Sequence, residues 1–341
     1  MSRIFITGVT GYIGGDVLYG LTKAQAASSI VALVRNEAQA AFIAEQYPAV
    51  KPLIGNLDSV SEIEEQASQA DVVLHLASSN HVPSAKAIAE GLSKTQRVNP
   101  VWIQISGASL LSGPEIAANT YGENNSKIFN DLEGVGELRE IIASPARVVD
   151  QIVTNLSSSQ PNVRTAILYG PLIYGQGRGP VNQRSMQIPD LAKAILQHGH
   201  GIQVGKGSST WSHIHISDIT RLLVMLVLEA SRNTNQLLWN ENGIYFANAG
   251  LLSFGEISNK MSDFAYSRGL ISSPSTKEIQ PKIADLLTHR GAVLWGTNAR
   301  TSSDRARKIL QWQPEGPSIE EEIPRAILAE AAFFQRPTFH V

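Results

Sequence analysis

The feature that most constrains the fold is a glycine-rich turn near the N-terminus. The apolar residues 4–6 predict a short buried strand, and Gly8, Gly11 and Gly14 follow it directly. Beyond them, apolar residues with helical spacing begin at Val17. A strand that runs through a glycine turn into a helix presents free N–H groups and the helix dipole to an anion. The turn therefore predicts a phosphate-binding site of the kind that holds a dinucleotide.

The next hundred residues repeat the same strand–helix alternation. Further buried strands are predicted over residues 30–34, 50–54, 71–79 and 101–105, with helices over 37–47, 60–67 and 82–92 between them. Such alternation indicates an α/β fold, in which right-handed crossovers build a doubly wound parallel sheet.

The later composition changes to loops and short helices, which predicts a second, smaller unit. We expect residues 1–175 to form a Rossmann-type dinucleotide-binding domain that is completed by residues from about 212 to 250. Residues 176–211 and 251–341 would then form a discontinuous C-terminal substrate-binding lobe.

Composition limits the possible partners. The 28 Lys and Arg nearly balance the 30 Asp and Glu in the 341 residues, which does not suggest nucleic acid or a membrane surface as a partner. No stretch approaches the roughly 20 apolar residues of a membrane span. Cysteine is absent, which excludes disulfides, cysteine-based metal sites and thiol catalysis. We expect a cytoplasmic protein, monomeric or homodimeric, that acts on a small molecule.

The end of the second strand indicates which dinucleotide is bound. In Rossmann units an acidic residue there holds the ribose 2′-hydroxyl of NAD, whereas an arginine accommodates the 2′-phosphate of NADP. This chain has Arg35 at that point, and its first carboxylate is Glu37. We therefore expect NADP(H) in preference to NAD(H).

The G-x-x-G-x-x-G spacing resembles that of the short-chain dehydrogenase/reductase superfamily, and the chain is most similar to the atypical, epimerase-like branch found in fungi. In similar enzymes Gly-Asp-Leu contacts the adenine, and here Asn56 and Leu57 occupy its last two positions. Residues 75–78 resemble the His-x-Ala-Ala stretch beside the ribose, and residues 169–175 resemble the Arg-Pro-x-x-Tyr-Gly segment beside the nicotinamide. The resemblance implies cofactor contacts from Gly8, Thr10, Gly11, Tyr12, Ile13, Gly14, Arg35, Asn56, Leu57, Leu76, Ala77, Ser78, Ser106, Tyr169, Pro171, Leu172 and Ile173.

The catalytic segment departs from the family pattern. Ser109 occupies the position of the family's catalytic hydroxyl, but the chain has no Tyr-x-x-x-Lys motif. The nearest pair, Tyr121 and Lys127, is six residues apart, about 240° around a helix, so the two would converge only from a loop. Arg147, on the helix expected to carry the motif, is a candidate to replace the lysine at the ribose.

Histidines offer further candidates. His81 follows the fourth strand at the sheet edge where ligands bind, so it is an alternative proton donor, whereas His75 lies inside the apolar run and is predicted to be a core residue. His213 and His215 share a strand face without a third ligand, so no metal site is expected. Asp218 is predicted to be the N-cap of a helix over residues 219–230.

Three functions remain open from the sequence. The first is an NADP(H)-dependent oxidoreductase acting on a small, largely neutral, secondary-metabolite-like compound, with Ser109 and Tyr121 (or His81) handling the proton. The second is a redox-neutral isomerase, epimerase or cyclase that keeps the fold. The third is an NADP-sensing regulator of the NmrA-like kind without turnover. The missing Tyr-x-x-x-Lys motif keeps the second and third open, because a fold alone does not define chemistry.

Overall fold

The computed structural model describes residues 2–232 and 235–334. Residues 335–341, which the sequence assigns to the C-terminal lobe, lie outside the described residues. None of the helices in the described ranges is long and apolar enough to cross a membrane.

The N-terminal part alternates strands and helices as predicted. Its elements are β1 (Ser2–Thr7), α1 (Tyr12–Lys23), β2 (Ala27–Val34), α2 (Glu37–Gln46), β3 (Val50–Ile54), α3 (Val60–Gln69), β4 (Val72–His75), α4 (Val82–Ser93) and β5 (Val101–Gly107).

The remainder carries shorter strands and more helices. They are α5 (Gly113–Ala118), β6 (Phe129–Asn130), α6 (Val135–Ile142), α7 (Val148–Ser159), β7 (Arg164–Gly170), β8 (Leu172–Tyr174), α8 (Gln187–His198), β9 (Gly201–Val204), β10 (Thr210–His215), α9 (Ile216–Arg232), β11 (Ile244–Phe246), β12 (Gly250–Ser253), α10 (Phe254–Ser267), β13 (Thr276–Ile279), α11 (Pro281–Leu287), α12 (Gly291–Gly296), β14 (Thr301–Ser302), α13 (Asp304–Ile309) and α14 (Ile319–Phe334). Short 3-10 helices span Ala108–Ser112, Gln236–Leu238 and Asn240–Asn242.

Seven strands form one parallel sheet in the order β11-β7-β5-β4-β1-β2-β3. The order reverses between β1 and β4, and in open α/β sheets ligands bind at such a switch point, beyond the carboxyl ends of the strands. The predicted doubly wound parallel sheet is therefore confirmed.

Helices cover both faces of this sheet. On one face, apolar residues of α1 and α9 pack against the strands, and on the other face those of α3, α4 and α7 do so. The central strands β1, β4, β5 and β7 bury both of their faces, which explains why they are nearly continuous apolar runs in the sequence. A third apolar cluster joins α8, α10, α12 and α14 with the short strands β8, β9 and β10.

One predicted helix boundary is wrong. Helix α9 begins at Ile216, so Asp218 lies inside its first turn and is not its N-cap. The Asp218 carboxylate instead accepts hydrogen bonds from the backbone N–H groups of Glu315, at 2.9 Å, and Gly316, at 3.0 Å. Asp218 therefore fastens the segment before α14 to the start of α9.

Candidate cofactor and active site

The glycine turn between β1 and α1 has the geometry of an anion site. Gly8 has φ +86°, in the left-handed region, and its carbonyl accepts the N–H of Gly11 at 2.9 Å. A Cβ on Gly8 would lie 2.7 Å from the backbone nitrogen of Ala77, and one on Gly14 would lie 2.2 Å from the Gly8 oxygen. Gly11 caps α1 without a side-chain hydrogen bond, so the first-turn N–H groups keep their capacity to bind an anion.

A cavity of about 250 Å³ opens beside this turn, at the carboxyl ends of β1 to β4. It brings together the predicted cofactor residues Gly8, Thr10, Gly11, Arg35, Asn56, Leu57, Leu76 and Ala77. Thr7, Leu33, Val34 and Gly55 also line it, although they were not predicted from the sequence. Thr7, Val34 and Gly55 each adjoin a predicted residue, and Leu33 lies two positions before Arg35, so closeness to the strand ends could have identified them. The cavity and the glycine cradle fit the adenosine diphosphate part of a dinucleotide.

Arg35 is the cation of this cavity. Its backbone N–H donates to Gln39 Oε1 at 3.0 Å, while its exposed side chain has no hydrogen-bond or ion-pair partner among the described residues. Asn36 caps α2 by accepting the Gln39 N–H. Asn56, which also lines the cavity, accepts the N–H of Asp58 at its Oδ1 at 2.7 Å and thereby shapes the loop after β3. A guanidinium without a carboxylate partner at this point is suited to a phosphate.

The prediction that His75 is a core residue is confirmed. His75 is fully buried, and its ring nitrogens lie 2.7 Å from Thr7 Oγ1 and 3.2 Å from Ser84 Oγ. Burial, with a smaller contribution from the nearby His81, lowers the pKa of His75 to about 4. His75 is therefore neutral at physiological pH.

His81, the alternative proton donor, has both ring nitrogens engaged by protein groups. It is the N-cap of α4, where its Nδ1 accepts the Ser84 N–H at 3.2 Å. Its Nε2 lies 3.1 Å from Asp58 Oδ1. The side chain thus joins the loop after β4 to the loop after β3.

A polar cluster lies at the carboxyl ends of β5 and β7. Ser106 and Tyr169 are register partners on these strands. Arg147, the N-cap of α7, donates from Nη2 to Ser106 Oγ at 2.6 Å and from Nε to Asp150 Oδ2 at 2.8 Å. Among the described residues, the other carboxylate oxygen of Asp150 and the Tyr169 hydroxyl have no hydrogen-bond partner, although both are buried. Asp150 was not nominated, because only the fold brings it to Ser106.

Burial sets the protonation of this cluster. It raises the pKa of Asp150, while the charge and hydrogen bonds of Arg147 and the Ser106 hydrogen bond act in the opposite direction. Burial, followed by the Asp150 charge, raises the pKa of Tyr169 well above its usual range. Tyr169 therefore stays protonated, and its enclosed hydroxyl lies in the core beside α7.

The structure does not bring Tyr121 and Lys127 together. Both lie in the irregular segment between α5 and β6, as predicted, but Lys127 is exposed and pairs with Glu137 of α6. Tyr121 is half-buried and packs against the cluster that contains β9 and α12. Its neighbour Gly122 donates to the Gly296 carbonyl at 2.7 Å.

Ser109 lies in the 3-10 helix after β5, half-buried and without a hydrogen-bond partner among the described residues. Its hydroxyl is close to Gly107, since a Cβ there would lie 3.6 Å from Ser109 Oγ. Ser112 of the same helix donates to the Asn298 carbonyl at 3.1 Å. Ser112 and Gly122, which lie near Ser109 and Tyr121 in sequence, therefore both bind one short segment, residues 296–298.

The other predicted cofactor residues lie at the start of α1, in and beside β8, and in the loop after β4. The Tyr12 hydroxyl donates to the Gly175 carbonyl at 2.7 Å. Ile13 and Ile173 are half-buried against the core, and Pro171 and Leu172 are buried. The Ser78 carbonyl accepts from Gln104 Nε2 at 3.0 Å. The polar groups named here are thus already hydrogen-bonded within the protein, and the apolar side chains pack against its core.

A buried carboxylate fastens the loop after β8 to α1. Asp16 is fully buried, and Arg178 donates to it from Nη2 at 2.6 Å while the Thr220 hydroxyl donates at 2.5 Å. These hydrogen bonds outweigh burial and lower the pKa of Asp16. Asn182 N–H also donates to the Thr10 carbonyl at 3.3 Å. The loop is thus held against the glycine turn.

The parallel sheet, its switch point and the glycine turn define a dinucleotide-binding Rossmann protein. The profile of the NAD dependent epimerase/dehydratase family matches residues 4–99 and 118–240. The chain is also 35% identical to the oxidase ucsJ of Acremonium sp., over 96% of this chain and 97% of that protein. The chain therefore belongs to the NAD dependent epimerase/dehydratase family, and the resemblance to epimerase-like short-chain enzymes is confirmed.

Solved structures share the fold at low sequence identity. UDP-glucuronic acid 4-epimerase from Bacillus cereus, in complex with UDP-glucuronic acid and NAD, is 17% identical with a TM-score of 0.65, over 97% of this chain and 99% of that chain. DesIV, a dTDP-glucose 4,6-dehydratase from Streptomyces venezuelae with NAD and TYD bound, is 13% identical with a TM-score of 0.66, over 96% of each chain. Family membership and the oxidase relative support an enzyme, either an NAD(P)-dependent oxidoreductase or an epimerase.

Proposed function

We propose that the protein is an NADP(H)-dependent oxidoreductase that acts on a small, largely neutral organic substrate of the secondary-metabolite type. The observation that carries this proposal is the Arg35 guanidinium in the cavity beside the glycine turn, which has no carboxylate partner in the part of the chain that the structure describes. A 2′-phosphate on the adenosine ribose would give that cation an anionic partner, whereas the 2′-hydroxyl of NAD carries no charge. The relation to oxidase ucsJ supports a redox reaction.

The bound nicotinamide would supply or accept the hydride, and the protein would orient the reactants and handle the proton. We assign the proton to Ser109 and Tyr121, two half-buried residues that lie close in sequence to the groups that bind residues 296–298. Arg147 would provide positive charge near the nicotinamide ribose, where similar enzymes use lysine. Its ion pair with Asp150 and its hydrogen bond to Ser106 hold the guanidinium at the sheet edge.

The test is NADPH oxidation in the presence of aldehydes, ketones, imines and activated alkenes. We expect a decrease in NADPH absorbance with one of these classes. Tyr121→Phe should abolish turnover, because it removes the proton donor and leaves the ring packing intact. Tyr266→Phe is the matched control, since Tyr266 is 50% exposed on α10.

Two outcomes would favour the other functions. Product formed with the cofactor unchanged would indicate a redox-neutral isomerase or epimerase, the activity by which the Bacillus cereus neighbour is named. Tight NADP(H) binding without turnover of any substrate would indicate a cofactor-sensing regulator. Either result would overturn the oxidoreductase proposal.

A further inference from the structure

A row of hydrogen-bonded side chains crosses the wall of the candidate cofactor cavity. Asp58, after β3, lies 3.1 Å from His81 Nε2, and His81 Nδ1 lies 3.0 Å from Ser84 Oγ. Ser84 Oγ lies 3.2 Å from His75 Nε2, and His75 Nδ1 lies 2.7 Å from Thr7 Oγ1. Asp58 is exposed, while Thr7 is buried at the end of β1 and lines the cavity. The row therefore joins the loops after β3 and β4 to the strand that enters the glycine turn.

The hydrogen-bond partners fix the direction of each donor. His81 Nδ1 accepts the Ser84 N–H, so the proton of a neutral His81 ring is on Nε2 and points to Asp58. The Ser84 hydroxyl has one proton, which it donates to His81, either to Nδ1 or to the carbonyl, each at 3.0 Å. Its oxygen is then free to accept from His75 Nε2. His75 Nδ1 then accepts from the Thr7 hydroxyl. Each contact in the row therefore has one donor and one acceptor when His75 is neutral, and no additional proton is required.

We propose that His81 is a positioning residue for the adenosine half of the dinucleotide and that it does not donate a proton to the substrate. By donating to Asp58, His81 holds the loop that carries Asn56 and Leu57 against the loop that carries Ala77. Both loops line the cavity. The inference rests on the proposed function to the extent that a dinucleotide occupies this cavity.

Exposure explains why this contact serves binding more than folding. The Asp58 side chain is 78% exposed and that of His81 26%, and a polar contact at such exposure adds little to global stability. The contact does hold the loop after β3 in the position that binds the cofactor. Because the loop is already ordered, less conformational entropy is lost when the cofactor binds. We expect loss of the contact to weaken cofactor binding about three- to tenfold.

Two substitutions isolate the contact. In His81→Asn the shorter side chain still caps α4, because asparagine is a favoured N-cap, but it no longer reaches Asp58. Asp58→Ala removes the acceptor and leaves intact the backbone hydrogen bond from Asp58 to Asn56. The double variant completes a cycle, and His289→Asn, at an exposed position, is the matched control.

Calorimetric titration with NADPH, and separately with the adenosine bisphosphate fragment of NADP(H), tests the proposal. Each single variant should weaken binding of both probes about three- to tenfold, and the double variant should weaken it no further. Turnover at saturating NADPH should be unchanged. Unchanged affinity in the variants, with wild-type protein that binds NADPH, would overturn this inference alone, and so would a lower kcat with unchanged affinity. Wild-type protein that does not bind NADPH would instead overturn the proposed function.

Discussion

The Arg147 guanidinium and the Asp150 carboxylate form an ion pair at the carboxyl end of β5, where the Asp150 side chain is 1% and the Arg147 side chain 14% exposed. The pair also binds Ser106, the last serine of β5, through Arg147 Nη2. The chain thus has a fixed cation at the sheet edge, although it lacks the lysine of the usual motif. We propose that this positive charge replaces that of the missing lysine.

Replacing the whole ion pair should separate its chemical role from its structural one. In Arg147→Met alone, Asp150 is left buried without its partner, so we expect a loss of about 3–5 kcal/mol in unfolding free energy. In Arg147→Met combined with Asp150→Leu, stability should return to near the wild-type value, because apolar replacements of a buried pair are often neutral. The double variant should nevertheless lose about tenfold to a hundredfold in kcat. Denaturant unfolding and steady-state kinetics would check both effects, and an unimpaired kcat would exclude Arg147 from the reaction.

Arg35 should control the choice of cofactor. In Arg35→Gln we expect NADP(H) to bind about tenfold to a hundredfold more weakly, because a charge-assisted phosphate contact is lost. NAD(H) binding should change little, since NAD has no 2′-phosphate. Fluorescence titration with NADPH and NADH measures both affinities. Arg268→Gln, in the cap of α10, is a suitable control, and a similar loss for both cofactors in Arg35→Gln would argue against a 2′-phosphate contact.

Gly8 should not tolerate a side chain. Its φ of +86° and the 2.7 Å approach to the Ala77 backbone mean that Gly8→Ala must strain the turn and separate β1 from β4. We expect a loss of about 1–3 kcal/mol in stability, together with strongly weakened dinucleotide binding. Gly269→Ala is the comparison, because Gly269 also has positive φ but has nothing within 4 Å of the added Cβ. Equal effects of the two substitutions on cofactor affinity would show that the close approach at Gly8 is unimportant.

His75 should make the protein sensitive to acid. Its pKa is lowered to about 4 in the folded state, so the unfolded chain binds the extra proton between about pH 6.5 and 4. The stability that neutral His75 provides is present above this range and is lost as the pH falls through it. When the pH is lowered from about 7 to about 5, we expect the unfolding free energy of His75→Gln to fall by about 2 kcal/mol less than that of wild type. Urea unfolding at both pH values measures the difference, and an identical pH dependence would contradict the assignment.

The parts of the fold that depend on local sequence were predictable. The glycine turn, the alternation up to β5 and the core position of His75 follow from residues that are close in sequence. The polar contacts were not, because their partners are distant. Asp218 was predicted to be an N-cap from its neighbours in sequence. Its actual partners are the N–H groups of residues 315 and 316, nearly a hundred positions later, so nothing in the sequence around Asp218 indicated them.

The candidate active site was predictable only in part, for the same reason. Arg147 was nominated from its position on the expected helix, but its binding to Ser106, which is 41 positions away, appears only in the folded chain. His81 was nominated from its place at a strand end. Its contact with Asp58, 23 positions earlier, is the observation from which we propose a role in cofactor binding, and it is present only in the folded chain.

The most direct test of the central claim is a parallel calorimetric titration of the wild-type protein with NADP⁺ and NAD⁺. If Arg35 binds the 2′-phosphate at the mouth of the cavity, NADP⁺ should bind at least about tenfold more tightly than NAD⁺. Equal binding, tighter binding of NAD⁺, or no binding of either dinucleotide would contradict the account.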